Sequence, residues 1–309
     1  MKIAVIGAGG IGGYLGGRLS QTGNQVTLVA RGGHLNAIRQ NGLRIESPFG
    51  CAHLTSIEAT DNIAAIGPVD IILATVKLPD LNDVARQFSS MITETTRIIT
   101  LQNGIDAKPM IAQFTNADRI AQGVIYLAAD IKEPGTIMTP GGKHQMLVDD
   151  LNGDATMAAL FDEIDRAEAI DVTRSRDAEK VVWSKFTAQA SIAGVTALTR
   201  LPLGGVFASQ EAKVLLAQMI DEAIAVASAK GIQLDPDHRE TVFRTYGAQP
   251  GAQSSSLLVD IEAGKPTELQ WLSGRVHALG KELGVPTPAH SVTWNALAAV
   301  KDGPATIRA

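Results

Sequence analysis

The chain opens with a short apolar run, Ile3 to Ile6, followed at once by Gly7-Ala8-Gly9-Gly10-Ile11-Gly12. A wholly apolar run of this length reads as a central parallel strand with helices over both faces. The glycines match G-x-G-x-x-G, and a helical pattern runs on from Ile11 to Thr22, where Gly23-Asn24 ends it. Val26 to Ala30 reads as the next strand, so the first thirty residues form one β-α-β unit. In that context the glycines have separate tasks. Gly7 permits a tight turn, Gly9 lets the backbone approach a pyrophosphate, and Gly12 lets helix and strand pack closely. Gly10 and Ile11 open the helix, whose free N–H groups and partial positive charge face the diphosphate. A glycine-rich turn without a ligand is the competing reading. The stretch from Lys2 to Gly17 also imitates a secretion signal, but its glycines at turn spacing and the strand that follows assign it to folded structure.

The pattern continues as alternating strands and helices. Leu35 to Gln40 reads as a short helix stopped by Asn41-Gly42. Leu43 to Glu46 and Ala52 to Glu58 read as edge strands, Val69 to Val76 as a buried strand, and Leu81 to Met91 as a helix. Arg97 to Leu101 and Ile120 to Ala129 are further strands. Thr136 to Met138 and His144 to Val148 read as a hairpin around Pro140-Gly141-Gly142. This alternation favours a doubly wound sheet. After Asp171 the periodicity turns helical, with candidates at 178–192, 210–230, 236–246, 269–283 and 291–301. A chain of 309 residues exceeds what one core usually supports. The expectation is an α/β Rossmann domain over residues 1–170, followed by an all-helical C-terminal domain over 171–309.

Net charge is −5 with no long run of one sign, which argues against nucleic acid or an anionic membrane as partner. No apolar stretch reaches the roughly 18–20 residues that span a bilayer, so a cytoplasmic location is expected. The single cysteine, Cys51, cannot form an internal disulfide, and a partly buried structural thiol is favoured over a nucleophile. The six histidines are scattered without metal-ligand spacing, so no metal is expected. The apolar helices of the second half could hold a homodimer or simply form a core.

Arg31 follows the second strand, 19 residues after Gly12 and with no acid beside it. An NAD-preferring fold usually carries Asp or Glu about 20 residues after the glycines, for the ribose 2′-hydroxyl. A guanidinium there pairs instead with a 2′-phosphate, which points to NADPH. The alternative is a solvated surface arginine. Lys77 and Asn103 end two further strands on the carboxyl edge of the sheet, where ligands of such folds bind. Asn103 also precedes Gly104 and has a turn-forming role as its competitor.

Two segments stand out in the second half. In Val182-Trp183-Ser184-Lys185-Phe186 the lysine lies on an apolar helix, where desolvation would lower its pKa and make it a usable proton donor. In Ser254 to Leu269, S-S-S-L-L-V-D-I-E-A-G-K-P-T-E-L, Glu268 could cap or start the next helix. Together with G-A-G-G-I-G-G-Y-L, V-T-L-V-A-R-G and Q-N-G, in this order and spacing, these segments make the chain resemble the ketopantoate reductase (2-dehydropantoate 2-reductase) family over nearly its full length. The resemblance implies reduction of a small-molecule 2-keto acid to the 2-hydroxy acid with NADPH. It implies that Lys185 is the proton donor and that Asn103 meets cofactor and substrate. It further implies that Lys77 lies at the family's cleft and that Ala129 makes a backbone contact to the cofactor. Ser256 would bind substrate, and Glu268 would lie near cofactor and lysine.

The chain departs from that family pattern four and eight residues after the lysine. The family usually carries substrate-binding asparagines there; this chain has Gln189 and Ala193. Gln189 can still donate a hydrogen bond, whereas the Ala193 side chain cannot. Two expectations follow: drift within a true ketopantoate reductase, or a relative acting on a bulkier, less polar 2-keto or 2-hydroxy acid or imine. A non-catalytic dinucleotide-binding sensor is the alternative from another class.

Overall fold

The computed structural model describes residues 1–141, 144–167 and 170–303. By contacts the chain divides into two compact units. The first comprises Met1–Gln102 and Asp106–Val181; the second comprises Asn103–Ile105 and Val182–Ala309.

In the first unit β1 (Lys2–Ile6), α1 (Gly10–Ser20), β2 (Gln25–Val29) and α2 (Gly32–Asn41) follow the expected order. Then come β3 (Leu43–Glu46), β4 (Ala52–Leu54), β5 (Glu58–Thr60), β6 (Ile71–Ala74), α3 (Leu78–Ala85), β7 (Arg97–Thr100) and α4 (Ala107–Ile111). The unit is completed by β8 (Ile120–Tyr126), β9 (Asp130–Glu133), β10 (Thr136–Met138), β11 (Gln145–Asp149), α5 (Ala155–Arg166) and β12 (Asp171–Ser175). The main sheet has eight strands in the order β12-β11-β8-β7-β6-β1-β2-β5. Its strands from β8 to β5 run parallel, while β11 joins β8 antiparallel. A second sheet has the order β4-β3-β10-β9.

That second sheet corrects three sequence expectations. Ala52 to Glu58 is not one strand. It breaks at a Thr55-Ser56 turn, after which β4 pairs with β3 and β5 pairs with β2. Ile120 to Ala129 ends at Tyr126, and the chain crosses into β9. The hairpin of β10 with β11 does not form: β10 pairs with β3 and β9, while β11 pairs with β8 and β12. Gly142 of that expected turn lies outside the described residues. Alternation of apolar residues reports that a segment is a strand, not which sheet receives it.

The two sheets explain the glycine content of α1. A Cβ on Gly16 would meet Leu28 and Val5 of the main sheet, and one on Gly17 would meet Ile45 of the second. The helix is packed on both sides, with Tyr14, Leu15 and Leu19 buried in the same core as Val5, Leu28 and Ile99. The first unit also extends past residue 170, because β12 pairs in parallel with β11 before the helices begin.

Helix α6 (Ala178–Thr199) carries the division between units. After it come α7 (Leu203–Ala208), α8 (Gln210–Ala229), α9 (His238–Gly247), α10 (Ser256–Glu262), α11 (Ser273–Leu283) and α12 (Pro288–Leu297). Helix α6 is apolar nearly all round, as a helix enclosed by others must be. Trp183, Phe186, Ala190, Ala193 and Ala197 join one core cluster, and Ala188, Ile192 and Val195 join another. His290, fully buried, binds three helices together. Its Nε2–H donates to the Met219 carbonyl at 2.9 Å, and Nδ1 accepts from the Ser273 hydroxyl at 3.2 Å. Burial pushes its pKa down to about 4. Cys51 is exposed, contrary to the expected partly buried thiol, because it lies in the surface connection between β3 and β4. Among the described residues no helix is long and apolar enough to cross a membrane.

Candidate active site

Each unit carries one group of the residues singled out by the sequence. In the first, β1 lies between β2 and β6, so the segments leaving these three strands converge at their carboxyl ends. Gly7 has φ +105°, a conformation open to glycine, and a Cβ there would sit 2.8 Å from the Val76 backbone. Gly9 is the N-cap of α1 and faces open space. The first backbone bond into the helix runs from Gly13 N–H to the Gly9 carbonyl, at 2.7 Å. The N–H groups of Gly10, Ile11 and Gly12 therefore precede the helical ladder and are the donors an anion would take. Gly12 packs against the Gly7 carbonyl and Thr75, as close helix–strand contact requires.

Gly10 has a reason the sequence pattern does not contain. A Cβ on it would run into the Ala129 carbonyl, because the β8–β9 connection passes directly over the start of α1. This also brings Ala129 to the phosphate-binding turn. Gly7, Gly9 and Arg31 line one cleft of about 210 Å³ with Val76 and His34. Arg31 is exposed at the end of β2 and occupies the N-cap position of α2. Lys77 is exposed and is the N-cap residue of α3. Gln102, which sequence reasoning passed over, donates from Nε2 to the carbonyls of Ala74 (2.8 Å) and Val76 (3.1 Å). It thereby ties the end of β7 to the turn that carries Lys77. These residues fit a dinucleotide: bare N–H groups for a diphosphate, a guanidinium beyond β2 and an apolar cleft between.

The second unit holds Asn103, Lys185, Gln189, Ala193, Ser256 and Glu268. Asn103 is half-buried; the positive φ of its turn falls on Gly104, and its carboxamide makes no hydrogen bond among the described residues. It does not act there as a side-chain turn former. Lys185 is 9 % exposed on α6. Burial pulls its pKa down to about 8, and the opposite charge of Glu268 limits the fall. Glu268 occupies the N-cap position of a 3₁₀ turn, Leu269–Trp271, without making a capping bond through its side chain. The strand-like stretch before it is anchored by Thr267 N–H donating to the Lys301 carbonyl at 2.7 Å and by a bridge from Pro266 to Asp302.

Lys185, Gln189 and Ala193 succeed one another at i, i+4 and i+8, hence on one face of α6. Gln189 is half-buried, with Oε1 sealed from solvent and without a partner among the described residues. Ala193 is buried in the cluster that contains Leu257 and Leu269. Ser256 is exposed as the first residue of α10. Its neighbour Ser255 caps that helix and hydrogen-bonds Thr196 Oγ1 at 2.7 Å. The run of three serines gave no sign of which one would cap.

The fold and these two groups define an oxidoreductase of the α/β dinucleotide-binding class with an appended helical unit. Residues 3–153 match the description Ketopantoate reductase PanE/ApbA, and residues 177–301 match its C-terminal counterpart. The chain belongs to the ketopantoate reductase PanE/ApbA family, whose members reduce a 2-keto acid. It is 29 % identical over 290 residues to the uncharacterized oxidoreductase YkpB of Bacillus subtilis, covering 93 % of this chain and 95 % of that one. It is 27 % identical to the 2-dehydropantoate 2-reductase of Mesorhizobium japonicum, covering 93 % and 94 %. A PanE/ApbA family ketopantoate reductase from Ralstonia eutropha superposes with a TM-score of 0.89 at 28 % identity, covering 97 % and 98 %. A D-mandelate dehydrogenase, solved with NADH and anilino(oxo)acetate, shares the fold with a TM-score of 0.87 at 23 % identity, covering 97 % and 98 %.

Proposed function

We propose that this chain reduces a 2-keto acid to the 2-hydroxy acid with NADPH, using Lys185 as the proton donor. The observation that carries the reading is a buried ammonium on an apolar helix, its pKa brought to about 8 and influenced by one carboxylate, Glu268. An acid of that strength holds its proton at neutral pH and releases it readily to a developing alkoxide. NADPH supplies the hydride. Lys185 directs its charge at the carbonyl oxygen and then delivers the proton there, and Glu268 keeps the amine protonated until that step. Gly9, Gly10, Ile11 and Gly12 offer backbone donors to the diphosphate, with Lys77 and Ala129 as further contacts. Arg31 selects the phosphorylated cofactor through its guanidinium fork. Asn103, Gln189 and Ser256 hold the polar groups of the acid.

A second reading concerns which acid. Ala193 presents a methyl group, packed among apolar side chains, where the family pattern has a carboxamide. This favours a substrate that is bulkier and less polar at that end than ketopantoate. The D-mandelate dehydrogenase of the same fold was solved with anilino(oxo)acetate, an aryl-bearing 2-oxo acid with a free carboxylate, which supports that reading. The two readings separate on kcat/KM for ketopantoate against phenyl- and branched-chain 2-keto acids, in the wild type and in Ala193→Asn. On the less polar reading, the wild type prefers the apolar acids. The substitution then raises relative activity on ketopantoate by about tenfold, the value of one buried hydrogen bond. A wild-type preference for ketopantoate refutes it.

A further inference from the structure

We propose that Gln102 is a positioning residue for the cofactor: its carboxamide clamps the Thr75-Val76-Lys77 turn and so fixes where the Lys77 ammonium can reach. The proposal rests on the reading that Lys77 contacts NADPH. Strand β6 ends at Ala74 and α3 begins at Leu78, so the residues between them must turn the chain out of the sheet. Thr75 faces β1: its N–H donates to the Ile6 carbonyl at 2.9 Å. Its hydroxyl donates on the same side, to the carbonyls of Gly7 (2.9 Å) and Ile6 (3.2 Å). Ala74 and Val76, on either side of it, present their carbonyls toward β7. Strand β7 ends at Thr100, and past that point the Gln102 side chain takes the place of the main-chain ladder. Its Nε2 spans both carbonyls, at 2.8 Å and 3.1 Å. The turn is thus held from both neighbouring strands, and the Val76 backbone is pressed on Gly7 of the phosphate-binding turn.

Only the amino end of the carboxamide can serve two carbonyls, because both are acceptors. That choice leaves Oε1 sealed from solvent and without a donor among the described residues. A buried acceptor left unpaired is unfavourable. Gln102 therefore holds the Val76 carbonyl against a local cost, which a side chain that only filled space would not incur. The residue after Val76 is Lys77, exposed and with extended backbone, φ −64° and ψ 152°. A lysine is a point charge on a flexible stem. On an exposed stem, packing directs the ammonium little, and the place of its backbone counts most. The competing role for Gln102 is to satisfy two carbonyls at a strand end, which moves stability but not the work of Lys77.

A double-mutant cycle on the full chain tests the proposal, with the dissociation constant of NADPH read by fluorescence titration and the melting temperature measured alongside. Lys77→Ala should weaken NADPH at least about tenfold, the loss of one charge-assisted contact. Gln102→Met, of similar length and without a donor, should weaken it about five- to tenfold by misplacing that contact. In the Lys77→Ala background the same substitution should cost less than about twofold, because the group it positions is gone. In turnover, the loss in Gln102→Met should appear in KM for NADPH more than in kcat. Gln102→Glu, which presents only acceptors to the two carbonyls when ionised, should behave like Gln102→Met and serves if the methionine variant does not fold. An equal loss in both backgrounds, or a lower melting temperature with an unchanged dissociation constant, overturns the proposal and leaves the cofactor reading intact. A Lys77→Ala variant that binds NADPH as the wild type does overturns the reading of Lys77, and the proposal with it.

Discussion

The state of Lys185 sets a pH dependence that can be worked out in advance. A lysine in water titrates at 10.5; in this protein burial brings the amine to about 8. That difference corresponds to about 3 kcal/mol against the ammonium form. Nine-tenths of the amine is then protonated at about pH 7 and only one-tenth at about pH 9. Reduction of a saturating 2-keto acid, followed by loss of NADPH absorbance, should fall about tenfold across that interval. Oxidation of the 2-hydroxy acid needs the neutral amine as base and should rise over the same interval. Glu268 is the group that opposes the fall in pKa, so Glu268→Gln should move both midpoints to lower pH. Lys185→Ala should cost about 10²–10⁴ in kcat. Lys185→Arg keeps the charge, but a guanidinium does not release its proton, so its residual rate should be low and flat with pH. A wild-type profile without a transition between about pH 7 and 10, or a loss of only twofold in Lys185→Ala on the true substrate, refutes the assignment.

Arg31→Asp should weaken NADPH at least about tenfold in a direct binding titration, with a smaller effect on NADH, because it removes a charge-assisted hydrogen bond to the 2′-phosphate. Gly10→Ala should lower the midpoint of thermal unfolding, at a cost of about 1–3 kcal/mol, because its methyl group meets the Ala129 carbonyl. The same variant should weaken NADPH in titration, since the connection over the phosphate-binding turn must shift. His290 is held neutral, with a pKa of about 4 against an ordinary 6.5, so the unfolded chain takes up its proton first as pH falls. Its contribution is fully present above about pH 6.5 and is lost between there and about pH 4, a change of about 3 kcal/mol. Urea unfolding at several pH values should show this in the wild type and less of it in His290→Gln.

Much of the first unit is legible in the sequence because the signals are local. The apolar run of β1, the glycines after it and the helical period of α1 occupy twenty consecutive residues, and each restricts the backbone there. The long helices of the second unit are legible for the same reason. Their ends are less so: α6 runs on to Thr199, beyond the expected Ile192, because packing on both sides continues where the pattern of single residues fades. Lys185 and Glu268 could be singled out as residue types in suggestive settings, but they lie far apart in sequence.

Tertiary structure alone decided which strands share a sheet, since the partners of β10 are β3 and β9 rather than the nearby β11. It decided why Gly10 has no side chain, through a connection more than a hundred residues later in the chain. It brought Val76 to the cleft of Gly7 and Arg31, and it enclosed Lys185 beside the charge of Glu268. The chain by itself determined the class of fold and the turn for a diphosphate, because backbone freedom and apolar period act between neighbours. The strength of the acid and the walls of the cleft arise from burial and charge contributed by distant segments, and only the folded chain assembles those.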